Sequence, residues 1–333
     1  MSTLELPPNR VVVAGAAQPR VIPRISTGGD RAYRGIATAS GVGVLGVLCL
    51  IGLFLSIQAY PAIKFMGWRF FTYTGWITQG AHPAFGVGGL VYWTVVIAVI
   101  ALVVAIPLSL ATALFITEYA PRRARAVLIT VVDLLAVVPS IIYGLWGFFV
   151  LQPSFVGFAH WLSTHMAFVP IFRVQQGAQL TSSAAIAGVV VGIMITPIIT
   201  SISRELFSLA PVGEREGALA LGATRSQMIR TVVLPFGRGG MIGAIMLAFG
   251  RALGETIAVA IIISPIYTID PHILQAGANS IAALIALFFG SGGPLGEHAQ
   301  LAAGLVLFFL TLVVNLLASI IVNRSRSGKG VEL

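Results

Sequence analysis

Two ionisable residues interrupt a long apolar stretch in the C-terminal third of the chain. They are Arg251 and Glu255, in FGRALGETIAVAII over 249–262. On a helix, residues four apart share a face, so the two can neutralise each other or take turns holding a third group. A charge at mid-bilayer costs about 2.5–3.5 kcal/mol on insertion scales, and such residues usually face a cavity. Counting 1.5 Å per residue from about residue 239 puts Arg251 roughly 18 Å into the stretch. Arginine suits a tetrahedral oxyanion, because its planar fork donates two hydrogen bonds at once. The expected chemistry is anion binding on a translocation path, with Glu255 holding Arg251 when the path is empty. The plainer expectation is an ion pair that only stabilises the helix.

A second feature is a polar loop, EREGALALGATRSQMIRTVVLPF over 214–236. Its Ala-rich start and Gly222 predict a short helix, a turn and a second helix. Leu234-Pro235 is expected to stop that helix before the next apolar stretch. No G-x-x-x-x-G-K-[ST] pattern occurs, and Gly328-Lys329 is followed by Gly330. The chain therefore offers no phosphate-cradling loop for ATP. Cys49, alone of its type, excludes an internal disulfide framework. His82, His160, His165, His272 and His298 all fall in predicted loops without metal-ligand spacing. No metal site is expected.

These groups need elements to position them, and composition says which kind. The 333 residues carry 57% hydrophobic and only 9% charged side chains. Soluble domains have about 25% charged residues, so this chain could not cover a water-facing surface. Disorder needs low hydrophobicity and is excluded as well. Six apolar stretches, near 37–60, 89–117, 127–151, 183–202, 239–263 and 299–322, are long enough to span a bilayer as helices. The expected fold class is all-α and polytopic. A strand barrel would alternate over ten-residue segments, which are absent. Pro107, Pro139 and Pro197 are expected to interrupt three of the helices.

Charge gives the topology. Sixteen basic residues lie before the first stretch, after the second and fourth, and in the tail, against Lys64, Arg69 and Arg173 in the alternate loops. By the positive-inside rule both termini face the cytoplasm. The net charge of +9 is thus a topology signal, and no nucleic-acid partner is expected. Residues 1–36 are polar and Arg-rich, a cytoplasmic arm rather than a secretion signal. Residues 37–323 are expected to form the six-helix transmembrane domain with its cytoplasmic loop over 203–238, and 324–333 a cytoplasmic tail. FMGWRFFTYTGW over 65–76 predicts an aromatic belt, with Trp68, Tyr73 and Trp76 at headgroup level. NSIAALIALFFG over 279–290 is too short to span and reads as a re-entrant, interfacial or outer-side packed segment. Gly188/Gly192, Gly239/Gly243 and Gly250/Gly254 have helix-packing spacing.

The polar loop resembles the EAA loop of ATP-binding-cassette importer permeases. Glu216, Ala218, Gly222, Leu234 and Pro235 match that pattern, while Gly217 stands for the usual Ala and Val232 for a frequent Ile. The resemblance implies a type I importer permease fold and a coupling helix that docks into the groove of a separate ATPase subunit. Residues 249–262 resemble the G-R-A-[LI]-G-E-T-x-A-V helix of PstC-type permeases of phosphate importers. Further matches are Asp133 to Gly147, Ala105-Ile-Pro107-Leu108 and Thr311 to Asn315. The PstC-type resemblance covers roughly residues 70–323. It implies a PstA-type partner permease, two PstB-type ATPase subunits that bind the ATP and Mg, and an extracytoplasmic phosphate-binding protein. The implied location is the cytoplasmic membrane, with lipid around the helices. The implied role is a permease rather than an enzyme, with no cofactor in this chain.

Other readings explain less. A permease for molybdate, tungstate or sulfate would use the same architecture. An ion-coupled secondary transporter with Asp133, Glu118 and Glu255 as a relay needs internal repeats, which the sequence lacks, and leaves the loop unexplained. A membrane-embedded hydrolase needs a nucleophile beside a base, yet no histidine is expected in a span.

Overall fold

A computed structural model describes residues 28–326. Its helices are α1 Gly28–Met66, α2 Arg69–Thr72, α3 Gly88–Leu114, α4 Arg122–Val137, α5 Ser140–Trp146, α6 Gln152–His165, α7 Ala184–Ser208, α8 Val212–Ala220, α9 Arg225–Met228, α10 Leu234–Leu253, α11 Ile257–Ile262, α12 Ile281–Phe288 and α13 Gly293–Arg326. A small antiparallel ribbon, β1 Trp76–Ile77 and β2 Ala84–Phe85, pairs Trp76 with Phe85 and Ile77 with Ala84. Six helical segments among the described residues are long and apolar enough to cross a membrane. The chain is a multi-pass membrane protein.

Two compact units divide at Ile51/Gly52. The described part of the first is the N-terminal portion of α1, where Val42, Val44, Leu45 and Leu50 are all exposed. Helix α1 begins at Gly28, so the last residues of the expected arm over 1–36 are helical, while 1–27 lie outside the described residues. The second unit carries everything else. Its centre is the pair α3–α7, where Trp93, Ile97 and Ala101 bury against Ile186, Val190 and Ile195. Glycines seat that pair. A Cβ on Gly192 would lie 2.8 Å from the Ala101 carbonyl oxygen, and one on Gly188 would lie 2.5 Å from Ile100 Cγ2. The small-residue spacing at 188 and 192 therefore marks a close backbone crossing.

Prolines set the departures from uniform spans. Val138 precedes Pro139 and adopts an extended conformation, φ −58° and ψ 127°, because a residue before proline is pushed out of the α region. The third expected span, 127–151, is therefore two pieces. α4 is a separate helix that reaches α7 through Asp133 and Ser201, and the membrane-length helix is Ser140–His165. Pro107 and Pro197 do not interrupt; α3 and α7 run through them.

Three π-turns, Phe115–Tyr119, Gly147–Leu151 and Ile229–Val233, each end two residues before a proline, at Pro121, Pro153 and Pro235. A proline removes one N–H and crowds the carbonyl four residues back. At Pro153 and Pro235, where the helix continues, the widened turn makes room for the ring. Leu234-Pro235 accordingly starts α10 rather than stopping a helix, and the segment Arg225–Leu253 is continuous.

The loops opposite the arginine-rich end meet one another. Gln79 Nε2 donates to the Ser291 carbonyl at 2.7 Å, and Tyr92 Oη to the Asp270 carbonyl at 3.0 Å. The aromatic segment turns inward more than expected. Phe70 is fully buried, and Trp76 packs on Phe85 and Tyr267. Of the three residues expected at headgroup level, Trp68 alone is strongly exposed, at 79%. Residues 281–288 form α12, capped by Ser280, with Ile281 to Leu284 buried. It is a short helix packed through its first turn, with Leu287 and the following Phe289 exposed, as the packed-helix alternative expected. His160 and His165 lie on α6 and His298 on α13, so the expectation that every histidine sits in a loop is corrected.

Candidate functional site

Arg251 occupies the last turn of α10. The helix ends at Leu253, and Gly254, Glu255 and Thr256 form a break before α11. The expected continuous helix over 239–263 is thus two helices. Arg251 and Glu255 do not stack on one face, and no ion pair joins them among the described residues. Glu255 is buried, at 7% exposure, and its Oε1 accepts the Ala258 N–H at 3.4 Å. It caps the start of α11, where a carboxylate meets the positive end of the peptide dipoles.

The break leaves Arg251 exposed, in the wall of a cavity of about 490 Å³ with Ile198, Leu247, Gly250 and Asn315. Asn315 comes from α13, and Ile198 from α7, one residue past Pro197. Gly250 is what lets α13 approach, since a Cβ there would stand 3.3 Å from Asn315 Oδ1. The cavity therefore offers one permanent cation and one neutral amide on walls that are otherwise apolar. That set has the donors to hold an anion bearing its own hydrogen-bond groups. Asn315 was not singled out as a site residue, because an amide in an apolar helix is ordinary until its neighbours are known.

A second constellation lies at the arginine-rich end. The polar loop folds as α8, a turn and α9. Gly222 supplies the turn with φ +84°, a left-handed conformation that costs other residues a Cβ clash. Thr224 and Gln227 close a capping box at the start of α9. Glu216, Gly217, Leu234 and Pro235 do not gather into a pocket. Glu216 and Gly217 lie exposed on α8, Ala218 is half-buried, and Leu234 and Pro235 open α10. Val232 sits in the π-turn before them. Under the loop, Phe207, Met228, Ile229 and Val233 form an apolar base with Ala113 of α3.

Two arginines tie this loop to the turn that ends α3. Arg215 Nη1 lies 3.1 Å from Glu118 Oε1, and its Nη2 donates to the Phe207 carbonyl. Arg225 Nη1 donates to the Glu118 carbonyl at 3.0 Å, and its guanidinium lies 5.5 Å from the Tyr119 ring centre. Sequence reading gave Glu118 only a minor part, because its partners lie far along the chain. Asp133 lies on the exposed α4. Its Oδ1 accepts from Ser201 at 3.4 Å, and it pairs with none of Arg122, Arg123 and Arg125 among the described residues.

Comparison with known proteins places this geometry. Residues 105–327 match the family described as "Binding-protein-dependent transport system inner membrane component". The chain is 40% identical over 304 residues to the "Phosphate transport system permease protein PstC 2" of Mycobacterium tuberculosis, covering 90% of this chain and 94% of that one. It is 37% identical over 303 residues to the "Phosphate transport system permease protein PstC" of Xylella fastidiosa, covering 90% and 93%. Among solved structures, a bacterial ABC transporter involved in the import of the acidic polysaccharide alginate aligns with TM-score 0.51 at 17% identity, covering 90% of this chain and 100% of that one. That likeness concerns the fold alone.

Proposed function

The chain belongs to the family of binding-protein-dependent transport system inner membrane components, and on that premise we propose that it is the permease subunit of an ATP-binding-cassette importer for inorganic phosphate. The relatives named as phosphate permeases match nearly full length on both sides. The observation that carries the substrate reading is Arg251 in the wall of the 490 Å³ cavity beside Asn315. A water takes about 30 Å³ of liquid volume, so a tetrahedral oxyanion fits there with water around it.

In this reading Arg251 donates paired hydrogen bonds to the passing phosphate. Asn315 contributes an amide that serves either as donor to an anionic oxygen or as acceptor from a P–OH group. Glu255 acts by position. By capping α11 it holds the helix break that leaves the Arg251 guanidinium facing the cavity. The positive-inside distribution puts both termini and the α8–α9 loop in the cytoplasm. There α8, with Glu216 and Gly217 exposed, is the docking element for an ATPase.

Partners follow from what the chain lacks and what the resemblance implies. Uphill transport needs an energy source, and the sequence holds no ATP-binding loop. Two PstB-type subunits supply ATP and Mg chemistry, a PstA-type permease supplies the other wall of the path, and an external phosphate-binding protein delivers the anion. ATP binding then opens the path outward. The test is ATP-dependent uptake of labelled phosphate by the complex reconstituted in vesicles. Competition by molybdate, tungstate and sulfate reads the alternative cargo. Transport of one of those anions without phosphate contradicts the substrate and keeps the architecture.

A further inference from the structure

The Glu118 contacts form a latch whose place in the fold gives it a task. The Glu118 side chain is 6% exposed and that of Arg215 21%. Their approach is close enough for an ion pair, yet Glu118 Oε1 and Arg215 Nε, both buried, have no directed hydrogen bond among the described residues. A buried charge contact that is only partly satisfied has a high stake in its geometry. The latch also sits at a particular joint. Glu118 lies in the π-turn at the end of α3, and Arg215 and Arg225 lie on the two short helices of the loop. π-turns of this kind gather at functional sites.

From that joint the load passes into the centre of the second unit. α3 packs closely against α7 at Gly188 and Gly192, where there is no room for a Cβ. α7 carries Ile198, a wall residue of the Arg251 cavity. We propose that Glu118, through Arg215, is a positioning residue that transmits movement of the α8–α9 loop to the α3–α7 pair and so to the wall of the anion cavity. The loop thus acts on α3 through this latch as well as on α7 and α10, its neighbours in sequence. This inference rests on the importer reading for the identity of the force, and on geometry for its route.

The test uses the assembled complex with its ATPase in vesicles. Glu118→Gln and Arg215→Met break the latch, and the double variant E118R/R215E restores opposite charges in reversed order. Two readouts are taken together. One is phosphate moved per ATP hydrolysed. The other is thiol labelling of Ile198→Cys, in a background with Cys49→Ser, before and after trapping the ATPase with ATP and vanadate. The expected result is that each single variant keeps ATP hydrolysis while phosphate per ATP falls about tenfold. Labelling at 198 then no longer responds to trapping, and the double variant recovers a large part of both. Wild-type yield per ATP and a normal labelling response in the single variants would overturn the latch. So would loss of hydrolysis and uptake in parallel with no recovery in the double variant, which is the mark of mere structural support. The labelling arm does not depend on cargo. A trapping response in the parent that is lost in Glu118→Gln supports the latch even if no phosphate moves, and that outcome counts against the phosphate reading alone.

Discussion

Arg251 reaches the cavity with its charge uncompensated by any carboxylate among the described residues. In the proposed anion site Asn315 is the second polar group of the wall. Replacing Asn315 by Leu keeps the volume but removes the amide. Phosphate uptake is expected to fall roughly tenfold, the scale of one hydrogen bond lost to an ionised group, while the complex assembles normally. Uptake assays beside a quantified subunit ratio check this. Arg251 was legible in the sequence because a cation in an apolar run is conspicuous wherever it sits. Its pairing with Glu255 was misread, because the i, i+4 rule assumes an unbroken helix and α10 stops at Leu253. Asn315 and Glu118 were illegible as site residues for a common reason. Each acquires meaning from a partner on a distant helix, Gly250 or Arg215, and no local pattern encodes that meeting.

Helices and loops carry their own predictions. At the α3–α7 crossing, Gly192→Val would drive a side chain against the Ala101 backbone, which cannot yield as a side chain could. A cost of about 1–3 kcal/mol is expected, seen as a lower thermal midpoint of the purified complex. In the polar loop a Cβ on Gly222 would meet nothing within 4 Å, so its constraint is conformational rather than steric. Gly222→Val is expected to cost about 1–2 kcal/mol for the left-handed backbone and to lower co-purification of the ATPase. Gly222→Asn, which tolerates that region, retains it. Five of the six apolar stretches overlap the helical segments that are span candidates for most of their length, although 183–202 starts one residue early and 239–263 runs past Leu253, because length and hydropathy are properties of the stretch itself. The third failed at Pro139, where one pre-proline residue separates α4 from the spanning helix. The π-turns before Pro153 and Pro235 were equally hidden. Whether a proline ends a helix or is carried through depends on whether the preceding turn can widen, and packing decides that.

The described residues form a permease with six candidate spans, and its apolar surfaces extend beyond what its own core needs. Val127, Leu134, Phe149 and Leu316 are among many large side chains left uncovered, as a surface facing lipid requires. Composition alone announced the membrane, and the EAA-type spacing announced the importer. The cavity, the helix break and the latch needed three dimensions. In the proposed mechanism Arg251 contacts the anion in transit. The most direct measurement is ATP-dependent uptake of labelled phosphate into vesicles bearing the complex, with wild-type and Arg251→Ala chains compared at equal assembly and with ATP hydrolysis recorded in parallel. Uptake by the wild type and none above background by Arg251→Ala is expected, although the complex forms. Equal uptake by both would contradict it and leave Arg251 a structural residue beside the path.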